Sequence, residues 1–398
     1  MSLSRRAAEM PASPIRRLAP LAAAARARGI TVHALNIGQP DIPTPRAILD
    51  RLRLWDGKNI PYGPSQGLPA FVEALRTYYA RAGITLAAEE IFATTSGSEA
   101  ILFTLACLCD EGDEVVVFEP FYTNYNGFAR MIGARLVPVA TRAEDGYHLP
   151  SRRAVEAAIG PRTRALLICS PNNPTGTVYT DPELEMLAAI AKDRGLWLIS
   201  DEVYREFVYE GGAARSVLTL PGIEQRCVVV DSLSKRYSLC GARVGNIVSR
   251  NREFLDAILR FGQARLCPPT LGQFACCGLT EVPASYMTEV IREYGARRDI
   301  VFDALNGRPG VTVRRPEGAF YLCARLPVAD ANAFAEYLLE DFQQDGETVA
   351  LAPADGFYAT PGLGRDEVRF AYVLDQNRLD RAMRIVLRAL EAAPPGIR

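Results

Sequence analysis

Lysine is almost missing from this chain. Of 398 residues only Lys58, Lys192 and Lys235 are lysines, whereas Lys and Arg together number 45, so 42 are arginine. Histidine is limited to His33 and His148, and no CxxC pair or Cys/His zinc spacing occurs, so no metal site is expected. The nine cysteines are odd in number and lie mostly in apolar runs (Cys107, Cys169, Cys227, Cys276), which points to buried thiols in a reducing compartment. No apolar run is long enough to span a bilayer, so no membrane partner is expected. Neither charge is in excess. The net charge of −1 lacks the clustered positive excess that a phosphate backbone demands, which argues against nucleic acid as a partner.

What is present describes a soluble globular protein, 48% hydrophobic and 23% charged. Its length exceeds a single compact core, so two domains are expected. The arginines among alanines at the start (Arg5, Arg6, Arg16, Arg17, Arg26, Arg28) resemble a transit peptide, but Glu9 and the break from Pro11 to Pro14 favour a capped surface helix and a cytoplasmic location. Seven β-rich runs follow: Ile91–Thr95, Glu114–Phe118, Arg135–Val139, Ala165–Cys169, Trp197–Ser200, Cys227–Asp231 and Gly245–Ser249. Helical patterns such as Glu99–Cys109 and Pro182–Arg194 separate them, the second with Asp181 as expected N-cap and Gly195 after its end. Alternation of this kind predicts a mostly parallel sheet covered on both faces. After about Ser285 the pattern becomes a long helix (Tyr286–Asn306), strands at Val311–Val313, Gly318–Cys323 and Glu367–Tyr372, and helices near Ala331–Asp341 and at the end, which suggests a smaller α+β unit.

A composition that replaces lysine by arginine has kept Lys235 inside Asp231-Ser-Leu-Ser-Lys235-Arg-Tyr-Ser-Leu-Cys-Gly-Ala-Arg243. An amine can lose its proton and attack a carbonyl, and a guanidinium cannot, so Lys235 is the first candidate for a covalent, Schiff-base-forming residue. The other candidates stand where strands end, which is where open α/β sheets bind ligands. Thr95 leads into Ser96-Gly97-Ser98-Glu99 and a helix start, which suits an anion such as phosphate, or equally a plain helix cap. Cys169 leads into Ser170-Pro-Asn-Asn173-Pro-Thr-Gly176, a turn whose amides can reach into a cleft. Asp201 and Tyr204 end another strand, and a buried carboxylate there needs a partner such as a helix cap or a protonated ring nitrogen. Lysine for a Schiff base, aspartate for a pyridine nitrogen, Asn and Tyr for a phenolic oxygen, and Ser232 with Arg243 for a phosphate are together the parts that pyridoxal phosphate requires.

On the segments Ser170–Gly176, Ser200–Tyr204 and Ser232–Gly245 the chain resembles the class I aminotransferases of PLP fold type I, closest to the bacterial aspartate-aminotransferase-like subgroup, from Ser13 nearly to the last helix. The resemblance implies a large domain, 46–285, with a mostly parallel seven-stranded sheet flanked by helices, and a smaller α+β domain from 1–45 and 286–398. It implies that Lys235 bonds the cofactor and then serves as acid/base, that Asp201 pairs with the pyridinium nitrogen, and that Asn173 and Tyr204 contact the 3′-oxygen. Gly97, Ser98, the Glu99 backbone, Ser232 and Arg243 would bind phosphate, and Tyr62 would reach the phosphate of a neighbouring subunit. Tyr122 stands where many relatives stack a Trp on the ring. Arg369 matches the arginine that clamps the substrate α-carboxylate, a role for which nothing else in the sequence prefers it to Arg325, and Gly38 matches the strip that closes over the substrate. A glutamate at 99 would repel a distal carboxylate if it faced the site, and Arg17 or Arg265 could supply a compensating charge.

The resulting expectation is a homodimeric PLP-dependent aminotransferase with shared active sites. It would move an amino group between an L-amino acid, acidic or neutral, and a 2-oxo acid such as 2-oxoglutarate. The same residues would also serve a lyase or decarboxylase of fold type I. A PLP-sensing transcription regulator would need a basic DNA-binding region for which there is no room before Pro14.

Overall fold

The computed structural model describes residues 3–397. Its strands in chain order are β1 (Thr31–Ala34), β2 (Ile91–Thr94), β3 (Glu114–Glu119), β4 (Arg135–Ala140), β5 (Thr163–Cys169), β6 (Trp197–Asp201), β7 (Cys227–Ser232), β8 (Gly245–Val248), β9 (Thr312–Val313), β10 (Tyr321–Arg325), β11 (Glu347–Ala350), β12 (Ala352–Pro353) and β13 (Glu367–Ala371). All seven runs predicted between 91 and 249 are strands, with ends shifted by two residues at most. They form one sheet in the order β2-β8-β7-β6-β5-β3-β4, parallel except for β8, which runs antiparallel to both β2 and β7.

Alternate residues of each central strand enter different cores. Val116 and Phe118 of β3, Leu166 and Ile168 of β5 and Val229 of β7 pack on one face. Val115, Val117, Ala165, Leu167, Val228 and Val230 pack on the other. Burial on both faces explains why these strands read as continuous apolar runs. Among the described residues no helix is long and apolar enough to cross a membrane.

A four-stranded antiparallel sheet, β12-β13-β10-β9, and the parallel pair β1-β11 make up the remaining strands. The pairing of β1 with β11 joins the N-terminal segment to the C-terminal region rather than to the large sheet. The predicted strand from Gly318 begins only at Tyr321, because Ala319 is left-handed (φ 55°), which an extended strand cannot accommodate. The helix expected from Pro182 is Asp181–Arg194, and its cap is Thr180, not Asp181. Thr180 Oγ1 accepts from Glu183 N–H while the Glu183 carboxylate accepts from Thr180 N–H, a reciprocal pair that places Asp181 inside the first turn. At the arginine-rich start, Arg5–Ala8 is helical with Ala7 N–H on Ser4 Oγ, but Ala19–Ala27 begins at Leu18 without a side-chain cap.

Candidate active site

The carboxyl ends of β5, β6 and β7 lie side by side, because Cys169 is in register with Asp201 and Asp201 with Val230. Strand β8 completes the row: its first residue, Gly245, pairs with Thr94 on one side and Ser232 on the other. A Cβ at 245 would stand 2.6 Å from the Asp231 carbonyl and 2.7 Å from the Ser96 carbonyl carbon, so only glycine allows these chain ends to meet. One sheet edge thereby gathers Ser96–Glu99, Asn173, Asp201, Tyr204 and Ser232–Lys235.

Lys235 lies in the short helix Leu233–Arg236. Its Nζ donates to the Gly38 carbonyl at 2.7 Å and is 3.6 Å from Cys240 Sγ. Next to it, the fully buried Arg236 binds Asp231 (Nη2–Oδ2 3.0 Å) and Glu206 (Nε–Oε2 2.7 Å) and lies over the Tyr78 ring at 4.2 Å. These bonds pin the lysine-bearing turn to β7. Gly38 has no room for a side chain, since a Cβ would fall 1.8 Å from the Tyr321 hydroxyl.

Asp201 is buried, and its carboxylate takes only the Tyr125 hydroxyl (2.8 Å) and the Val203 N–H (3.3 Å). Burial pushes its pKa up to about 6, where an acid with a cationic neighbour at contact distance would fall. Asp231, equally buried, has the Arg236 guanidinium in contact. The Asp201 carboxylate lacks such a counterion among the described residues, and a cationic ring N–H is of the right kind.

Ser96, Ser232 and Ser234 bring three hydroxyls together, with Oγ–Oγ distances of 3.3 Å from Ser96 to Ser232 and 2.8 Å from Ser232 to Ser234. Ser96 opens the helix Ser96–Leu108 in the left-handed region (φ 70°). Gly97 and Ser98 follow half-buried in its first turn, where unpaired N–H groups favour an anion. Arg243, also left-handed (φ 57°), has one guanidinium nitrogen on the Cys240 carbonyl at 3.0 Å. Hydroxyls, helix N–H groups and a guanidinium form a donor set suited to phosphate.

Arg369 reaches the site from β13. The strip that follows β1 is stitched between β11 and β13 by Leu35 N–H on Ala350 O and Ala371 N–H on Leu35 O. Arg369 is 1% exposed, with Nη2 on Asn36 O (2.5 Å), Nη1 on Asn173 Oδ1 (3.1 Å) and Nε without a partner. It lies against the rings of Tyr321 (4.5 Å) and Phe357 (5.0 Å). Asn173 Nδ2 faces the Tyr204 hydroxyl at 3.4 Å, and Tyr204 in turn meets the Tyr321 hydroxyl at 3.0 Å. Arg325, by contrast, is bound up with Glu144, Asp366 and Glu367.

Three expected residues behave differently from the rest. Tyr122 stands edge-on to Tyr125 at 5.4 Å, its hydroxyl held by Asn124 Nδ2 at 2.7 Å. Tyr62 is 79% exposed. The Glu99 carboxylate turns back to its own helix start, accepting from Thr95 N–H (2.8 Å) and pairing with Arg265 (3.1 Å). Arg17 is committed to Asn332 and Glu336. Sequence reasoning missed Tyr125, Tyr321 and Asn36, because each becomes a site residue only through a contact with a distant segment, and it gave no role to Cys240, which meets Lys235 five residues away. Ser96 and Ser234 were legible within the quoted motifs.

These features agree with the comparisons. The family model of aminotransferase class I and II matches residues 30–386. The chain is 34% identical to the aspartate/prephenate aminotransferase of Thermus thermophilus over 92% of its own length and 93% of that protein's. It is 32% identical to the arginine–pyruvate transaminase of Pseudomonas aeruginosa, covering 92% and 91% of the two chains. Among solved structures, the aspartate aminotransferase from Thermus thermophilus with maleate superposes with a TM-score of 0.87 at 31% identity, over 98% of this chain and all of the other.

Proposed function

The chain belongs to the class I and II aminotransferases, PLP-dependent enzymes that move an amino group between an amino acid and a 2-oxo acid, and from that premise we propose how its residues divide the work. Bound to the protein, the cofactor supplies an electron sink for the pair released at the substrate α-carbon. Lys235 Nζ would hold the cofactor, and as a free amine the same nitrogen would accept the proton that leaves the substrate α-carbon. The Gly38 carbonyl and Cys240 Sγ at 2.7 and 3.6 Å hold that nitrogen in place. Asp201 would keep a ring nitrogen protonated, and its buried carboxylate, bonded among the described residues by two neutral donors, supports this role. Asn173 and Tyr204 would donate to the ring oxygen. Gly97, Ser98, the Glu99 backbone, Ser96, Ser232, Ser234 and Arg243 would hold the phosphate, and Tyr122 would flank the ring.

Arg369 clamps the substrate α-carboxylate. Its planar fork, anchored by Asn36 and Asn173 and desolvated by Tyr321 and Phe357, offers bidentate bonding where water is excluded. The donor is an acidic or neutral L-amino acid and the acceptor a 2-oxo acid such as 2-oxoglutarate. The Glu99–Arg265 pair supports that range, because the glutamate is neutralised and repels no distal carboxylate.

We assign 46–285 to a cofactor-binding domain and 1–45 with 286–398 to a second domain. A hydrophobic core drawn mainly from Leu18–Leu35 and Val290–Ala389 supports this division. The enzyme works as a homodimer that shares its sites through Tyr62, and exposed Ile60, Tyr62 and Leu266 support a buried face there. Nine free thiols suit the cytoplasm.

The observation that carries the reading is the single lysine amine within reach of Gly38 at the edge shared by Asp201 and Ser232. Lys235→Ala is expected to abolish both the visible absorbance of the loaded enzyme and the borohydride-trapped adduct on the Leu233–Arg236 peptide. Retention of either would reassign the lysine. Half-reaction spectra with the twenty amino acids then identify the donor.

A further inference from the structure

The transamination site uses the carboxyl ends of the parallel strands. At their amino ends, where β5 and β6 begin, a separate cavity of about 670 Å³ opens among Thr163, Arg164, Arg194, Leu196, Trp197 and Arg226. Strand β6 alone separates the two by five residues, roughly 15 Å at about 3.3 Å per residue.

Every titratable residue lining this cavity is an arginine, and no carboxylate lines it. The three guanidiniums come from separate elements: the start of β5, the last turn of the helix Asp181–Arg194, and the residue before β7. Nearby carboxylates neutralise them incompletely. Arg164 Nε is paired with Asp113 at 2.8 Å. Among the described residues Arg194 pairs only with Glu156, at 3.8 Å, and that carboxylate already binds Arg152 at 3.0 Å. The Arg226 guanidinium meets the Gly195 carbonyl at 2.8 Å and no carboxylate among the described residues. In a chain whose net charge is −1, this is a local concentration of positive charge around a concave floor. Three arginines from three elements line this one cavity, and guanidiniums carry planar donor forks that match phosphate or carboxylate oxygens.

We propose that this cavity binds a small polyvalent oxyanion, phosphorylated or polycarboxylic, at a site separate from the cofactor and substrate. The proposal does not rest on the assignment of the reaction or of its residues. Trp197 lines the cavity and packs its ring on Phe254 at 5.3 Å, so it reports on occupancy. The other tryptophan, Trp55, packs on Phe274 elsewhere.

The test uses enzyme saturated with its cofactor, so that the cofactor's phosphate site is filled, in a Trp55→Phe background. Equilibrium dialysis with pyrophosphate, and separately with citrate, is run at constant ionic strength set by chloride, alongside Trp197 emission. The expected result is saturable binding of one anion per chain by at least one probe, with an emission change that saturates in parallel. The Arg194→Gln/Arg226→Gln double variant should bind at least about tenfold more weakly, since charged hydrogen bonds are lost, while its melting temperature and its cofactor absorbance stay those of the parent. Binding of pyrophosphate alone identifies a phosphate ligand, and binding of citrate alone a polycarboxylate. Absence of saturable binding by both probes, or binding that the double variant retains in full, overturns the proposal.

Discussion

At the scale of single residues the site is defined by how each polar group is buried and bonded. Asp201 is the clearest case. Its carboxyl is raised to about 6 by burial, against an ordinary value near 3.8, so in cofactor-free protein its ionisation opposes folding. An acid whose pKa is higher in the folded state contributes stability that is complete below the unfolded value and lost as pH rises through the folded one. Cofactor-free Asp201→Asn is therefore expected to be more stable than the parent at pH 8, by on the order of 3 kcal/mol, and no more stable at pH 4. Calorimetry at the two pH values checks the sign. The same substitution should weaken cofactor binding, which an effect of packing alone would not separate in this way. Arg369 makes the complementary case. Arg369→Leu removes a charged clamp worth about 1.5–3 kcal/mol, so KM for the amino acid should rise about 10- to 100-fold. Its cofactor dissociation constant should stay within a few-fold of the parent's. Equal loss of cofactor would mean that the guanidinium serves the phosphate instead.

At the scale of elements, strand ends and helix starts decide where chemistry is possible. The motif segments were legible because small, polar and turn-forming residues interrupt apolar runs at the ends of β5, β6 and β7. Element boundaries were less legible. The true cap of the helix Asp181–Arg194 depends on Thr180 and Glu183 acting reciprocally, and Glu183 has a second task. It binds His148 Nδ1 at 3.0 Å and the Leu149 N–H at 2.6 Å, while His148 Nε2 faces Glu317 at 3.4 Å. This imidazole joins the loop before Leu149, the helix start and the segment leading into β10. Hydrogen bonds to Glu183, then to Glu317, raise its pKa to about 10 from 6.5. A raised histidine stabilises fully below its unfolded value, and that contribution is lost as pH climbs through the folded one. The melting temperature of His148→Ala should therefore fall short of the parent's at pH 6–7, and the gap should close by about pH 10.5. A gap that is independent of pH would show that the ring acts through packing.

At the scale of the whole molecule, the chain ends meet around the site. Strand β1 pairs with β11, and the strip from Leu35 to Gly38 passes between β11 and β13 to reach both Arg369 and Lys235. Segments more than 300 residues apart in sequence, Asn36 and Arg369, thus meet at one guanidinium. The proposed role of Tyr62 belongs to a larger scale still, and its ring is exposed in its own chain. If it completes the phosphate site of a second copy, Tyr62→Phe should raise the cofactor dissociation constant by about tenfold, the loss of one charge-assisted hydrogen bond, with no change in sedimentation. An unchanged constant would confine Tyr62 to the surface.

The sequence by itself determined the large sheet and singled out the candidate lysine. Apolar runs of strand length, punctuated by turns, can be buried on two faces in only a few ways, and one amine in an arginine-rich chain is chemically distinct. The neighbours of each functional group were decided by the tertiary structure alone. Tyr125 on Asp201, Tyr321 beside Tyr204 and Gly38, Arg265 on Glu99, and Arg369 rather than Arg325 in the site all depend on register and on contacts between distant segments. A linear pattern carries burial and local turn chemistry, but a pairing between remote charges exists only once the chain has closed around them.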